Sequence, residues 1–209
     1  MRLVLASNNA KKLAELKALF APLALELVTQ GSLGIAEVDE PHPTFIENAL
    51  AKARHAARQA GAAAIADDSG LCVDALAGAP GVISAHFAPI DLPAAQREAR
   101  RAVQDAANNR LLLERLTGVI DRRARFVGTL VAVRSADDPE PLVAVGRWPG
   151  EILTAPRGQG GFGYDPLMFI PALGCSAAEL AADVKNAHSH RARSAQQMLA
   201  LLREAWHVA

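Results

Sequence analysis

Two adjacent carboxylates, Asp67 and Asp68, follow the apolar run Ala62-Ala63-Ala64-Ile65-Ala66 and precede Ser69-Gly70-Leu71-Cys72-Val73. An apolar run bounded by turn-forming residues reads as a buried strand, which places both carboxylates at the strand's mouth. Carboxylates there are costly to bury unless a cation meets them. Mg2+ suits the position, because it takes hard oxygen ligands and bridges one or two carboxylates to substrate phosphates. A polar Asp-Asp-Ser-Gly turn closing the strand is the competing reading, since turn chemistry favours the same residues. Glu40 sits in the acidic, proline-broken loop Glu37-Val38-Asp39-Glu40-Pro41-His42-Pro43. It has no cap to make and is the better second metal ligand. Glu47 completes a capping box with Thr44 and has a structural task instead.

Three further stretches carry chemistry. Ser7-Asn8-Asn9 separates the apolar Leu3-Val4-Leu5-Ala6 from a helical pattern on Leu13, Leu16 and Phe20. A strand-to-helix turn offers backbone N–H groups and the positive end of the helix dipole, a natural phosphate site to which Lys12 adds charge. Ser and Asn are equally good N-caps, and the Walker pattern is absent. Arg157 to Pro166 contains G-x-G-x-x-G at Gly158, Gly160 and Gly163. A dinucleotide fingerprint would open a helix, whereas here a strand, Leu167-Met168-Phe169-Ile170, follows. Glycines around Phe162 suggest backbone lying against a flat ligand with Phe162 as the stacking ring; a glycine-rich surface loop is the alternative. Ser189 reads as an N-cap with His190 and Arg191 in the first helical turn. Cations are disfavoured there by the dipole, so they ask for an anion or a carbonyl oxygen, or else form a solvated basic turn. His188-x-His190 lacks a third ligand for zinc.

These residues need elements to hold them. Strands are expected at Leu25–Val28, Arg125–Arg134 and Leu142–Ile152, the last two joined as a hairpin through Pro139-Glu140-Pro141. Helices are expected from the Thr44 box to about Gly61, from Leu92 to Leu116, and from Ser189 to about Trp206. Lys52 on the second helix faces a phosphate or water, and position alone favours water. Gly78 and Pro80-Gly81 mark a tight loop. Arg147-Trp148-Pro149-Gly150 reads as a strand bend or loop tip, with Trp148 in packing or a dimer contact. The 209 residues, 51% hydrophobic, suffice for one domain spanning 1–209. Lys and Arg number 22 against 22 Asp and Glu, and that zero net charge argues against bulk electrostatic binding to nucleic acid. Cys72 and Cys175 follow no pairing pattern and are read as reduced thiols of a cytoplasmic protein. The apolar start is too short for a signal peptide, and no run approaches ~18 residues, so no membrane span is expected.

A metal, cations, an N–H cradle, a stacking ring and polar groups together fit a nucleoside triphosphate. The ordered set Leu5-Ala6-Ser7-Asn8-Asn9 with Lys12, Thr44-Phe45-Ile46-Glu47-Asn48-Ala49, Ala66-Asp67-Asp68-Ser69-Gly70-Leu71, Gly78-Ala79-Pro80-Gly81, Gly160-Gly161-Phe162-Gly163-Tyr164-Asp165-Pro166 and Ser189-His190-Arg191 spans nearly the whole chain. It closely resembles the non-canonical purine nucleoside triphosphate pyrophosphatases, the inosine/xanthosine triphosphatase family. The resemblance implies an α/β fold with an elongated central mixed β-sheet and flanking helices forming two lobes around an active-site cleft. It implies a homodimer, Mg2+ dependence, and cleavage of dITP, ITP and XTP to monophosphate and pyrophosphate, which keeps them out of DNA and RNA.

Carried over residue by residue, the resemblance places Ser7, Asn8, Asn9, Ala10, Lys11 and Lys12 on the triphosphate. It makes Asp68 the catalytic proton acceptor and a metal ligand, with Glu40 as its companion. Ser69 joins the substrate site, and Phe162, Gly163, Tyr164, Asp165, Lys185, His190 and Arg191 hold the nucleotide. Two departures stand out: Ser84-Ala85-His86-Phe87 where the family often has Arg in place of His86, and His42-Pro43 where a Thr-Gly-type turn is common. A donor such as His190 or Arg191 facing a 6-oxo group would favour hypoxanthine and xanthine over adenine. The alternatives are a pyrophosphatase for other modified nucleotides and a nucleotide-binding regulatory module that releases its ligand unchanged.

Overall fold

The structure is a computed structural model that describes residues 1–90 and 97–208, without the side chains of Lys11 and of 97–99. In chain order its elements are β1 (Arg2–Leu5), α1 (Ala10–Phe20), β2 (Glu26–Thr29), α2 (Phe45–Ala60), β3 (Ala64–Val73), α3 (Arg97–Arg115), β4 (Arg123–Val133), β5 (Leu142–Ile152), β6 (Met168–Ile170), β7 (Cys175–Ser176), α4 (Ala182–His188) and α5 (His190–Trp206). The strands form one seven-stranded sheet in the order β2-β1-β3-β4-β5-β6-β7. The sheet is mixed: β1 is parallel to β2 and β3, with Leu3 opposite Leu27 and Leu5 opposite Ile65, while β6 is antiparallel to β5 and β7. This is the expected α/β class. Among the described residues no helix is long and apolar enough to cross a membrane.

The chain forms two compact units, Met1–Ser69, Val127–Arg147 and His188–Ala209 in the first and Gly70–Phe126 and Trp148–Ala187 in the second. In the first, side-chain alternation along the strands builds two separate apolar clusters. Leu3, Leu5, Ile65, Leu130 and Ala132 pack with Leu16 and Phe20 of α1 and Met198 and Leu202 of α5. Val4, Ala64, Ala66, Val131 and Val133 pack with Ala49, Ala53, Ala56 and Ala57 of α2. Helix α2 starts as its sequence specifies: Thr44 accepts a hydrogen bond from the Glu47 amide, and its hydroxyl donates to Glu47 Oε2 at 2.5 Å. The α5 start is equally local, with Ser189 Oγ accepting from Ala192 N at 3.1 Å. In the second unit, Leu71, Leu112, Leu116, Phe126, Trp148, Leu167 and Met168 form the core.

The structure corrects several expectations. Asp67 and Asp68 lie inside the ten-residue β3, not in a turn at its mouth, because cations meet both side chains and let the strand continue. Arg147-Trp148-Pro149-Gly150 is interior to β5, and Trp148 is buried, its ring 6.3 Å from that of Phe126. Packing therefore accounts for this aromatic. Helix α4 was not anticipated; its seven residues are too few to establish a periodicity. The second strand begins one residue later than expected, at Glu26. The expected start of the third long helix, at Leu92, lies outside the described residues, and α3 is observed from Arg97.

Candidate active site

Successive residues of β3 point to opposite faces of the sheet, so Asp67 and Asp68 serve different neighbourhoods. Asp67 shares a face with Ile65 and Ser69, toward α1 and α5. Its Oδ1 accepts from Lys12 Nζ at 3.1 Å and from the Ser69 hydroxyl, and its Oδ2 accepts from Arg191 Nε at 2.5 Å. Arg191 also donates to Glu15 through Nη1 and to Ser69 Oγ through Nη2 at 3.3 Å. Burial would raise the Asp67 carboxyl, but Arg191 and Lys12 hold it far below the usual carboxylate range. Burial draws the Arg191 guanidinium down, and Asp67 and Glu15 more than reverse that, so it stays charged.

Asp68 points to the α2 face. Lys52 Nζ donates to Asp68 Oδ1 at 2.8 Å, to Glu40 Oε2 at 2.9 Å and to the Asp67 carbonyl at 3.2 Å. The acidic loop that carries Glu40 is tied to α2 by Asn48, whose Oδ1 accepts from His42 N at 2.9 Å and whose Nδ2 donates to His42 O at 3.0 Å. Burial, with Glu40 alongside, pushes the Asp68 carboxyl up to about 6 even though Lys52 pulls it down. Burial raises the Glu40 carboxyl too, but Lys52 outweighs it and leaves Glu40 below its ordinary value. The buried Asp68 Oδ2 has no hydrogen-bond partner. Adjacent residues thus sit in different electrostatic settings: the Asp67 carboxyl is held down by Arg191 and Lys12 with its oxygens paired, and the Asp68 carboxyl is raised by burial with one oxygen unpartnered.

The remaining predicted residues of the first unit lie at or just before the starts of α1 and α5. Asn9 caps α1 through Oδ1 to Lys12 N at 3.3 Å, and Ser7 Oγ takes the Asn9 amide at 3.2 Å, so capping claims two amides of the expected cradle. The Asn8 side chain lies against the α-carbon of Gly31, in the space a Cβ would take. Ala10 is exposed and opens α1; Lys11's side chain lies outside the described residues. His190 is buried at the start of α5, its ring edge against Gly128 of β4. Among the described residues no group of three or more His, Cys, Asp or Glu side chains could by itself hold a metal ion.

The second unit holds the other predicted group. Asp165 Oδ2 accepts from Phe162 N at 2.8 Å and from Lys185 Nζ at 2.6 Å, and Lys185 Nζ stands 4.9 Å from the centre of the Phe162 ring. Gly163 adopts a left-handed φ of 63°. Tyr164 is buried and donates to Ser84 O at 2.9 Å, which makes it a core anchor of the loop. No helix opens at the glycines, in keeping with the rejection of a dinucleotide fingerprint.

The Ham1 family model matches residues 3–201. The chain belongs to the Ham1 family. It is 73% identical over 206 residues to the dITP/XTP pyrophosphatase of Methylibium petroleiphilum, covering 99% of each chain. It is 70% identical to the dITP/XTP pyrophosphatase of Leptothrix cholodnii, covering 100% of each. The solved structure of a HAM1 protein from Coxiella burnetii superposes with a TM-score of 0.87 at 40% identity, covering 98% of this chain and 100% of that one.

Within this Ham1-family chain, reading the sequence missed Lys52, which position alone assigned to water. It is buried between two carboxylates, and burial's downward pull on its ammonium is more than offset by Asp68 and Glu40. A signal was present: Lys52 falls on the stripe of small residues Ala49, Ala53, Ala56 and Ala57, the face that α2 buries. Asn48 falls beside the same stripe, and Glu15 lies one turn from Lys12 on α1.

Proposed function

We propose that this Ham1-family chain hydrolyses the non-canonical purine nucleoside triphosphates dITP, ITP and XTP to monophosphate and pyrophosphate, keeping them out of DNA and RNA. The observation that carries the chemistry is the unequal pair on β3. A base that accepts a proton from water works best with a pKa near the operating pH. Before any cation binds, burial raises the Asp68 carboxyl and leaves one of its oxygens without a partner, able to accept a proton, whereas Asp67 is held ionised with its oxygens bonded to Lys12, Ser69 and Arg191.

Glu40 and Asp68 fit a divalent cation by their chemistry: two hard oxygen donors converge on one ammonium, and Asp68 Oδ2 is buried without a partner. Two carboxylates are what Mg2+ takes when phosphate oxygens and water complete its shell. When bound, Mg2+ supplies positive charge to the phosphate oxygens and acidifies water. In our reading Asp68 accepts the proton of the water that attacks the α-phosphorus. Lys12 and the Ser7 to Lys12 turn, with Ala10 and Lys11, hold the triphosphate and offset charge on the departing pyrophosphate. Ser69, already bonded to Asp67 and Arg191, joins the substrate site. Phe162, Gly163, Tyr164, Asp165 and Lys185 hold the nucleotide, Phe162 through its ring and Tyr164 and Asp165 by fixing the loop. His190 and Arg191 favour a 6-oxo purine; Arg191 spends three of its five N–H donors on Asp67, Glu15 and Ser69. The whole chain acts as one domain, as a homodimer in the cytoplasm.

The test is pyrophosphate release from dITP, dATP and dGTP by the purified protein, with Mg2+ and with a chelator. Release from dITP alone, abolished by chelation, is the expected result. Binding without release would replace the enzyme by a regulatory module. Equal release from all three would end the assignment of base choice to His190 and Arg191.

A further inference from the structure

We propose that Asp105 and Asn109 of α3 are positioning residues for the loop that carries Phe162, acting on Gly163. Gly163 N donates to Asp105 Oδ2 at 2.9 Å, and Gly163 O accepts from Asn109 Nδ2 at 2.9 Å. Residues four apart on a helix share a face, so one turn of α3 grips both polar groups of a single residue. The N–H belongs to the peptide plane before the Gly163 α-carbon and the carbonyl to the plane after it. Holding both therefore fixes the torsions at Gly163, a left-handed residue with φ 63° and open space around its α-carbon. Glycine is the residue that resists such fixing most, because it has the most conformations to lose.

The consequence falls on Phe162. Its amide is held on the other side by Asp165 Oδ2 at 2.8 Å, so its backbone is clamped before and after the α-carbon and the direction in which its side chain leaves the backbone is set. Tyr164, the residue after Gly163, is anchored to α3 indirectly. Its hydroxyl donates to Ser84 O, which also accepts from Asn108 Nδ2 at 3.1 Å, and Asn108 Oδ1 accepts from Ala88 N at 2.8 Å. Successive faces of α3 thus hold the Gly163 loop through Asp105 and Asn109 and the Ser84–Ala88 segment through Gln104 and Asn108. A loop set before the ligand arrives spares binding the cost of ordering it. Its loss weakens binding of ground state and transition state alike, which raises KM and leaves kcat in place.

This inference rests on the proposal that the Phe162 loop holds the nucleotide, and Phe162→Ala reports on that proposal by itself. Steady-state kinetics with dITP and Mg2+, alongside thermal melting, would be measured for Asp105→Ala, Asp105→Asn, Asn109→Ala, Asn109→Asp and Phe162→Ala. Loss of one such hydrogen bond predicts a KM about tenfold higher for Asp105→Ala and Asn109→Ala with kcat within about twofold. Asp105→Asn, which keeps an acceptor oxygen in place, restores most of the KM, and Asn109→Asp, which sets a carboxylate against the Gly163 carbonyl, is at least as impaired as Asn109→Ala. If either alanine variant fails to fold, the opposite behaviour of the two isosteric variants decides. A raised KM in Phe162→Ala with wild-type KM in the α3 variants overturns the positioning role and leaves the nucleotide loop standing. A wild-type KM in Phe162→Ala overturns both.

Discussion

Arg191 at the start of α5 donates through Nε to Asp67 Oδ2 at 2.5 Å, a bond between residues 124 positions apart. It joins the helix to the middle of β3 on the face where Lys12 also reaches Asp67. Breaking a buried pair by removing one partner leaves the other charge uncompensated, at about 3–5 kcal/mol. Asp67→Asn is expected to lose stability of that order in urea unfolding, because it strands two cations; a loss below about 1 kcal/mol would show that Lys12 and Arg191 find water instead.

The same carboxylate predicts a pH dependence. The Asp67 pKa in the folded chain lies far below its unfolded value of about 3.9. Its contribution to stability is then present above the unfolded value and is lost as pH falls below about 4 toward the folded one. Unfolding free energy measured between pH 5 and 2 should fall less steeply in Asp67→Asn than in the unmodified chain.

Asp68→Asn keeps the shape of the side chain and removes its capacity to accept a proton. Turnover of dITP should fall by roughly 10²–10⁴-fold with the melting temperature little changed. A near-normal rate would remove Asp68 from the role of base.

Lys52 neutralises Glu40 and Asp68 at 2.9 and 2.8 Å. Lys52→Met leaves two neighbouring carboxylates facing each other. In chelator its melting temperature should drop below that of the unmodified chain, and added Mg2+ should raise it by more, since a ligand of the folded state stabilises in proportion to its occupancy. Equal Mg2+ shifts in both proteins would place the cation elsewhere.

Glycine on β5 lets α5 approach the sheet. A Cβ at Gly146 would meet the His190 carbonyl and stand 2.6 Å from Ser194 N, both backbone atoms that cannot turn aside. Gly146→Ala should destabilise by about 1–3 kcal/mol through overpacking, displacing His190 and Arg191 and lowering activity with it, as paired unfolding and turnover measurements would show.

The alternation on β3 explains both what was legible beforehand and what was not. The carboxylates pointed to partners of opposite charge, and the structure brings Glu40 and Asp68 onto one ammonium, that of Lys52. The different tasks of Asp67 and Asp68 were hidden, since a turn reading gives no faces, whereas a strand sends neighbours to opposite sides. Lys52 looked solvated because its partners Glu40 and Asp68 stand 12 and 16 positions away.

By itself the sequence determined what is decided within a turn or a strand. The Thr44 and Ser189 caps, the strand Leu142–Ile152 and the rejection of a dinucleotide fingerprint depend on hydrogen bonds and periodicities a few residues long. Tertiary structure alone decided which cation meets which carboxylate, that Trp148 belongs to a core, and that α3 holds Gly163. Those outcomes depend on side chains far apart in the chain, and their energies exist only after packing has removed the water that would otherwise screen them.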